Sequence, residues 1–121
     1  MSDDFFKKNI PIYLQIIDLI KKQLVSNSLA AGGRLLSVRD LSNQLEVNPN
    51  TVQRAYTEME RIGLVYTQRG QGTFIVDEPE IISKLREEIA LNKVTSFAKE
   101  MEAFGFSHSE ILERISNYLN E

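Results

Sequence analysis

Val47-Asn48-Pro49-Asn50-Thr51-Val52-Gln53-Arg54-Ala55-Tyr56 is the stretch on which the reading of this chain turns. Asn48 suits a helix N-cap, because its side-chain oxygen can accept a free N–H of the first turn, and Pro49 suits the next position, where its missing N–H costs nothing. Gly63 ends the run about four turns later. At about 100° per residue, Val52, Ala55, Tyr56, Met59 and Ile62 fall on one side, and Asn50, Gln53, Arg54, Thr57 and Arg61 on the other. The outward side carries amides, a hydroxyl and guanidinium groups but no acid, with Glu58 and Glu60 turned to the flanks.

Upstream, Ser37 and Asp40 have the spacing of a capping box, with Asp standing in for Glu, and they open a helix to about Leu45 whose buried side is Val38, Leu41 and Leu45. From Pro11 to about Ser26, Tyr13, Ile16, Ile17, Ile20 and Leu24 make a helical stripe. Asn27 to Gly33 reads as a loop, and Arg34-Leu35-Leu36 as a short strand. Downstream, Leu64 to Gln68 and Thr73 to Val76 are rich in β-formers, and the four residues Arg69-Gly70-Gln71-Gly72 between them supply the left-handed positions of a tight hairpin. Helix, short turn, second helix, glycine-punctuated hairpin is the order of a winged helix-turn-helix.

Beyond Asp77 a long helix is expected from Pro79 to Phe104, stopped by Gly105. A second capping box, Ser107 with Glu110, starts a final helix with Ile111, Leu112, Ile115, Tyr118 and Leu119 on one stripe. The long helix points its first apolar set, Ile81, Ile82, Leu85 and Ile89, roughly 125° away from its second, Val94, Phe97, Met101 and Phe104. One helix facing two surfaces implies two partners, the chain's own winged domain and a second subunit. The expected fold is mainly α with a small β-hairpin: residues 1–77 a winged helix-turn-helix DNA-binding domain, and 78–121 a two-helix dimerisation tail. Its candidate dimer residues are Val94, Phe97, Met101, Phe104, Ile111, Leu112, Ile115 and Leu119.

At 121 residues the chain can bury a core without covalent staples, and having no Cys it has neither disulfides nor thiolate metal sites. No apolar run approaches the roughly 20 residues that span a bilayer, and Met1-Ser2-Asp3-Asp4 lacks a basic-then-apolar signal pattern. A soluble, cytoplasmic protein without membrane contact is expected. The net charge of −3 argues on its face against a phosphate-bearing partner. The acidity is uneven, however: residues 1–77 hold nine Lys/Arg against eight Asp/Glu, and residues 78–121 five against nine. The DNA argument rests on the placement of individual arginines.

An α-helix fits the major groove, where Arg pairs with guanine O6/N7 and Asn or Gln with adenine N6/N7, and the outward face from Asn50 to Arg61 holds these types. An ordinary solvated face is the alternative, though such faces normally mix in Lys and Glu. Arg39, in the first turn after Ser37, can clasp a phosphate with the free helix N-terminus; its alternative is an ion pair with Asp40 or Glu46. Arg34 is a weaker candidate of the same kind. Arg69, at a tip followed by glycines, can approach a phosphate or the minor groove. The candidate DNA-binding set is Arg34, Ser37, Arg39, Asn48, Asn50, Thr51, Gln53, Arg54, Thr57, Arg69, Gly70 and Gly72. Catalysis finds no support: the only His, His108, lies in a helix first turn without an acid-His-nucleophile set, and no cofactor or metal site is expected.

Pro11-Ile12-Tyr13-x-Gln15-Ile16, Leu35-Leu36-Ser37-Val38-Arg39-Asp40-Leu41, Val47-Asn48-Pro49-Asn50-Thr51-Val52-x-Arg54-Ala55-Tyr56, Glu60-x-x-Gly63-Leu64-Val65 and Arg69-Gly70-x-Gly72-Thr73-Phe74 together closely resemble the GntR family of bacterial transcriptional regulators. The short tail resembles the YtrA-type branch, in which two helices replace the large effector domain of other members. The resemblance implies a homodimeric repressor on a pseudo-palindromic double-stranded DNA operator, with Arg39, Asn50, Thr51 and Arg54 near bases or phosphates and Arg69-Gly70 in the wing. It also implies a transporter operon as target. Two readings from other classes stay open: a small-molecule sensor with its ligand between tail helices and winged domain, and a winged helix used for protein docking.

Overall fold

The computed structural model describes residues 6–121, so the reading made at Met1-Ser2-Asp3-Asp4 lies outside the described residues. The elements in order are α1 Ile12–Val25, α2 Val38–Leu45, α3 Pro49–Arg61, β1 Val65–Gln68, β2 Gly72–Ile75, α4 Pro79–Ala103 and α5 His108–Leu119. The chain divides into two compact units, the first ending at Ser83 and the second running Lys84–Glu121, so the division falls inside α4.

In the first unit, α3 packs on α1, α2 and β1. Ile16, Ile17, Ile20 and Leu24 of α1, Leu41 and Leu45 of α2, and Val52, Ala55, Tyr56 and Met59 of α3 are buried, with Val65 and Ile75 contributed by the hairpin. The apolar spacing of each helix thus converges on one core. Ser42, between Leu41 and Leu45, is also buried and donates its hydroxyl to the Arg39 carbonyl at 2.9 Å, while Val38 is only half-buried. The turn into α3 is tight: Glu46 takes the left-handed conformation (φ 57°), and the Val47 N–H reaches back to the Ser42 carbonyl at 3.1 Å.

Local chemistry sets the helix ends. Ser37 Oγ accepts the Asp40 N–H at 3.0 Å, and Asn48 Oδ1 accepts the Asn50 N–H at 2.8 Å with Pro49 following. Helix α3 stops at Arg61, one residue before Ile62, which is 42% exposed rather than buried as the periodicity suggests. The regular 100° step ends there because Gly63, at φ 83°, turns the chain into β1.

The hairpin is one residue tighter than expected. Gln68 pairs with Gly72, so Gly72 belongs to β2 and the turn is Arg69-Gly70-Gln71. The Gln71 N–H closes on the Gln68 carbonyl at 2.9 Å, and Gly70 occupies the third turn position at φ 80°, which a side chain would strain. The expected strand at Arg34–Leu36 is a single antiparallel bridge, Arg34 to Phe74, supported by the Leu35 N–H on the Thr73 carbonyl (2.9 Å) and the Ile75 N–H on the Gly33 carbonyl (2.8 Å). Tyr66 and Phe74 stack across the strands at 5.7 Å.

In the second unit, α4 ends at Ala103 and Gly105 takes φ 91°. Ser107 and Glu110 form a reciprocal capping box on α5, and the Ser107 bonds hold the Glu110 carboxyl below the ordinary carboxylate range. Ile111 is buried and Met101 half-buried, whereas Val94, Phe97, Phe104, Leu112, Ile115 and Leu119 are exposed, Phe104 by 78%.

Tyr56 ties the core to the segment before α2, its hydroxyl donating to the Leu36 carbonyl at 2.7 Å, and burial pushes its phenol up to about 12. In the unfolded chain the phenol ionises near 10, so stability is whole below pH 10 and falls as pH rises from there to about 12, by roughly 2 to 3 kcal/mol. Urea unfolding across this window is expected to show that loss in the native chain and to show it much reduced in Tyr56→Phe. The same variant is expected to be about 1 kcal/mol less stable at neutral pH from the lost hydrogen bond.

Candidate nucleic-acid interface

With its underside sealed, α3 turns Asn50, Gln53, Arg54 and Thr57 fully outward and Thr51 partly so. Gln53 and Thr57, one turn apart, are joined by an amide-to-hydroxyl hydrogen bond of 3.2 Å. The lower end of the same face is different. Arg61 binds Glu58 through Nε at 3.0 and 3.1 Å, which holds the Glu58 carboxyl below the ordinary range and raises the guanidinium. The charge of Arg61 is therefore matched within the helix, and the positive character of the face gathers toward Arg54. Glu60 faces the hairpin, accepting the Thr67 N–H at 3.1 Å, and so fastens α3 to β1.

Arg54 lies over the ring of Tyr13, its guanidinium carbon 3.9 Å from the ring centroid. Tyr13 stands on the first turn of α1 and is half-buried, so the Arg54 side chain rests on a platform supplied by another helix. The stack occupies one flat face of the guanidinium, and Arg54 as a whole remains exposed. Asn48, Asn50, Thr51 and Arg54 line one open cleft of about 420 Å³ together with Pro11, Ile12 and Tyr13. Reading the sequence placed Tyr13 on the apolar stripe of α1 and missed this role. Periodicity along one helix carries no information about what crosses it.

Arg39 is exposed at the start of α2, and the Arg–carboxylate ion pair found among the described residues, Arg61–Glu58, does not include it. Ser37 beside it is engaged by its own cap. In the wing, Arg69 and Gly70 stand exposed at the tip. Arg34 lies flat against β2, and a Cβ on Gly72 would come within 2.9 Å of its Nε, so Gly72 (φ 119°) both adopts a conformation unsuited to side chains and leaves room for the arginine. The structure thus groups the candidates into three places: the α3 face with Asn48, the start of α2, and the wing with Arg34, Gly70 and Gly72. A separate groove of about 630 Å³ runs between α1, α2 and the segment before α2, lined by Leu19, Leu29, Leu41 and Leu45 with Arg34 and Asp40 among its polar groups.

Among the described residues no group of His, Cys, Asp and Glu is placed to hold a metal ion, and no helix is long and apolar enough to cross a membrane.

Residues 12–75 match the family of bacterial regulatory proteins described as the gntR family. Over 116 residues, 96% of each chain, the sequence is 45% identical to an uncharacterized HTH-type transcriptional regulator, YhcF, of Bacillus subtilis strain 168. It is 44% identical over 69 residues to the HTH-type transcriptional repressor YtrA of the same organism, covering 57% of this chain and 53% of that one. The fold matches a GntR family transcriptional regulator from Listeria monocytogenes with a TM-score of 0.89 at 38% identity, covering 93% of this chain and 98% of the other.

The Arg54–Tyr13 stack makes a specific prediction. Tyr13→Leu is expected to weaken DNA binding by about 0.5 to 1 kcal/mol, roughly two- to fivefold, while Tyr13→Phe keeps the aromatic face and binds within twofold of the native chain. Fluorescence anisotropy on duplex DNA checks this, with thermal melts of both variants as the control for folding.

Proposed function

The chain belongs to the gntR family of bacterial regulatory proteins, in its YtrA-type branch, and from that membership we propose that it is a homodimeric repressor seating one α3 face in each half of a pseudo-palindromic operator. That it is a DNA-binding transcriptional regulator follows from the family; the dimer, the repression and the residue roles are our reading. One observation carries it: α3 is sealed along one side by Val52, Ala55, Tyr56 and Met59 and offers Asn50, Gln53, Arg54 and Thr57 on the other. Those side chains match the donor and acceptor patterns of base edges in the major groove. Arg39 and Arg34 then serve the phosphates, and Arg69 with Gly70 the groove beside the wing. These groups hydrogen-bond and neutralise charge, and we assign the chain no enzymatic activity. Its place of action is the cytoplasm, where its DNA lies, and an operon that includes transporter genes is the target the YtrA-type branch suggests.

Exposed apolar side chains in the second unit support the dimer. Val94, Phe97, Phe104, Leu112 and Leu119 all face solvent in the single chain, Leu119 by 75%. Such concentrated exposure of large apolar groups is characteristic of a surface that another protein covers. A two-fold dimer places two recognition helices at half-sites one helical turn, or a multiple of it, apart. A ligand-responsive version of the same regulator has one concrete feature behind it, the 630 Å³ groove of the first unit, which includes Arg34 and the cap residue Ser37. An apolar-ligand thermal-shift screen tests that version.

Anisotropy titration on DNA from upstream of its own gene, against a scrambled duplex, is expected to show a preference of roughly a thousandfold. Arg54→Ala is expected to cost about 1 to 3 kcal/mol on the specific duplex and little on the scrambled one; equal losses on both reassign Arg54 to a phosphate. Light scattering is expected to give a dimer for the native chain and a monomer for Phe97→Glu combined with Leu112→Glu, with operator affinity lost in parallel. A native monomer at micromolar concentration contradicts the dimer.

A further inference from the structure

Gln15 has an arrangement that the α3 face does not call for. Its side-chain oxygen accepts the Lys7 N–H at 2.9 Å, and its Nε2 donates to the Lys7 carbonyl at 2.9 Å and the Ile10 carbonyl at 2.8 Å. None of these bonds satisfies a free N–H of α1, whose N-cap Pro11 has no side-chain cap. They fix the backbone of the segment that precedes the helix. Phe6, buried, anchors the far end of that segment, while Lys7, Lys8 and Asn9 remain exposed. A short chain that is ordered at both ends and presents two adjacent ammonium groups is a built feature.

Its location gives it a use. Pro11, Ile12 and Tyr13 line the same cleft as Asn48, Asn50, Thr51 and Arg54. Lys8 is three residues before Pro11, and at 3.8 Å per residue its Cα lies within about 11 Å of the Pro11 Cα. A duplex engaged by the first turns of α3 therefore runs its backbone within reach of this segment. We propose that Lys7 and Lys8 form a second DNA contact, to phosphates flanking the half-site on the α1 side, with Gln15 as the residue that positions them. The contact is to phosphate and carries no base preference, because an ammonium is a compact charge without the paired donors that read a base edge. Lys7 and Lys8 are two of the nine Lys/Arg that stand against eight Asp/Glu in residues 1–77, so a large share of that unit's positive charge lies in this segment. The inference rests on the DNA-binding reading given above.

The test compares the native chain with Lys7→Gln/Lys8→Gln and with Gln15→Leu on upstream promoter duplex and on scrambled duplex, each across a salt series. Removing the two lysines is expected to weaken both duplexes equally, by about tenfold at low salt, and to reduce the slope of log affinity against log salt by about 1 to 2, near 0.9 for each phosphate released. Gln15→Leu keeps both charges and is expected to weaken binding severalfold with its slope unchanged. Native slope and affinity in the lysine variant overturn the contact, and native affinity in Gln15→Leu overturns its positioning role. A native chain that binds neither duplex overturns the DNA-binding reading and this inference with it, which separates the two failures.

Discussion

The closure of one side of α3 against α1 and α2 is the constraint on which the rest depends. Val52, Ala55 and Met59 are fully buried, and Tyr56 nearly so, with its hydroxyl bonded to the Leu36 carbonyl. A helix held this firmly along one stripe cannot roll about its axis, so the direction of every other side chain on it is set. The polar face from Asn50 to Thr57 is outward because the apolar face has no alternative. The short turn through Glu46 and Val47 and the Asn48-Pro49 start then fix where along its axis the helix begins, and the Glu60 carboxylate fixes the wing to its far end.

On that frame, two arginines lie against uncharged neighbours. Arg54 rests on Tyr13, and Arg34 lies against the bare backbone of Gly72. The Tyr13 ring bears the Arg54 guanidinium and the missing side chain at Gly72 leaves room for that of Arg34, and neither of these neighbours carries a charge. Arg61, by contrast, meets Glu58 and has its charge matched. Long side chains that are ordered before DNA arrives lose less entropy on binding. In a chain of net charge −3, steering by total charge is weak, so the binding mode proposed above rests on a few cations held in the right places.

Much of this was legible in the sequence, because it depends on local rules. Pro49 after Asn48, Ser37 three residues before Asp40, and Ser107 with Glu110 locate helix starts, and the 3.6-residue spacing of α3 separates its two faces. The misses share a physical origin in contacts between distant segments. Helical spacing makes Tyr13 one more apolar residue of α1, although its ring lies under Arg54 some forty positions later. The glycine spacing assigns Gly72 to the turn, yet strand pairing with Gln68 places it in β2 beside Arg34. Ile62 followed the periodicity on paper, but the helix ends just before it. The Gln15 clasp likewise joins residues that no helical or strand period relates.

Amide chemical-shift mapping of the native chain on duplex DNA from upstream of its gene tests the central claim most directly. The account predicts shifts concentrated at Asn48 to Thr57, at Arg39 and at Arg69-Gly70, with the interior positions of α5 unmoved. Shifts confined to α4 and α5, with the amides of α3 unchanged at saturating DNA, would contradict it.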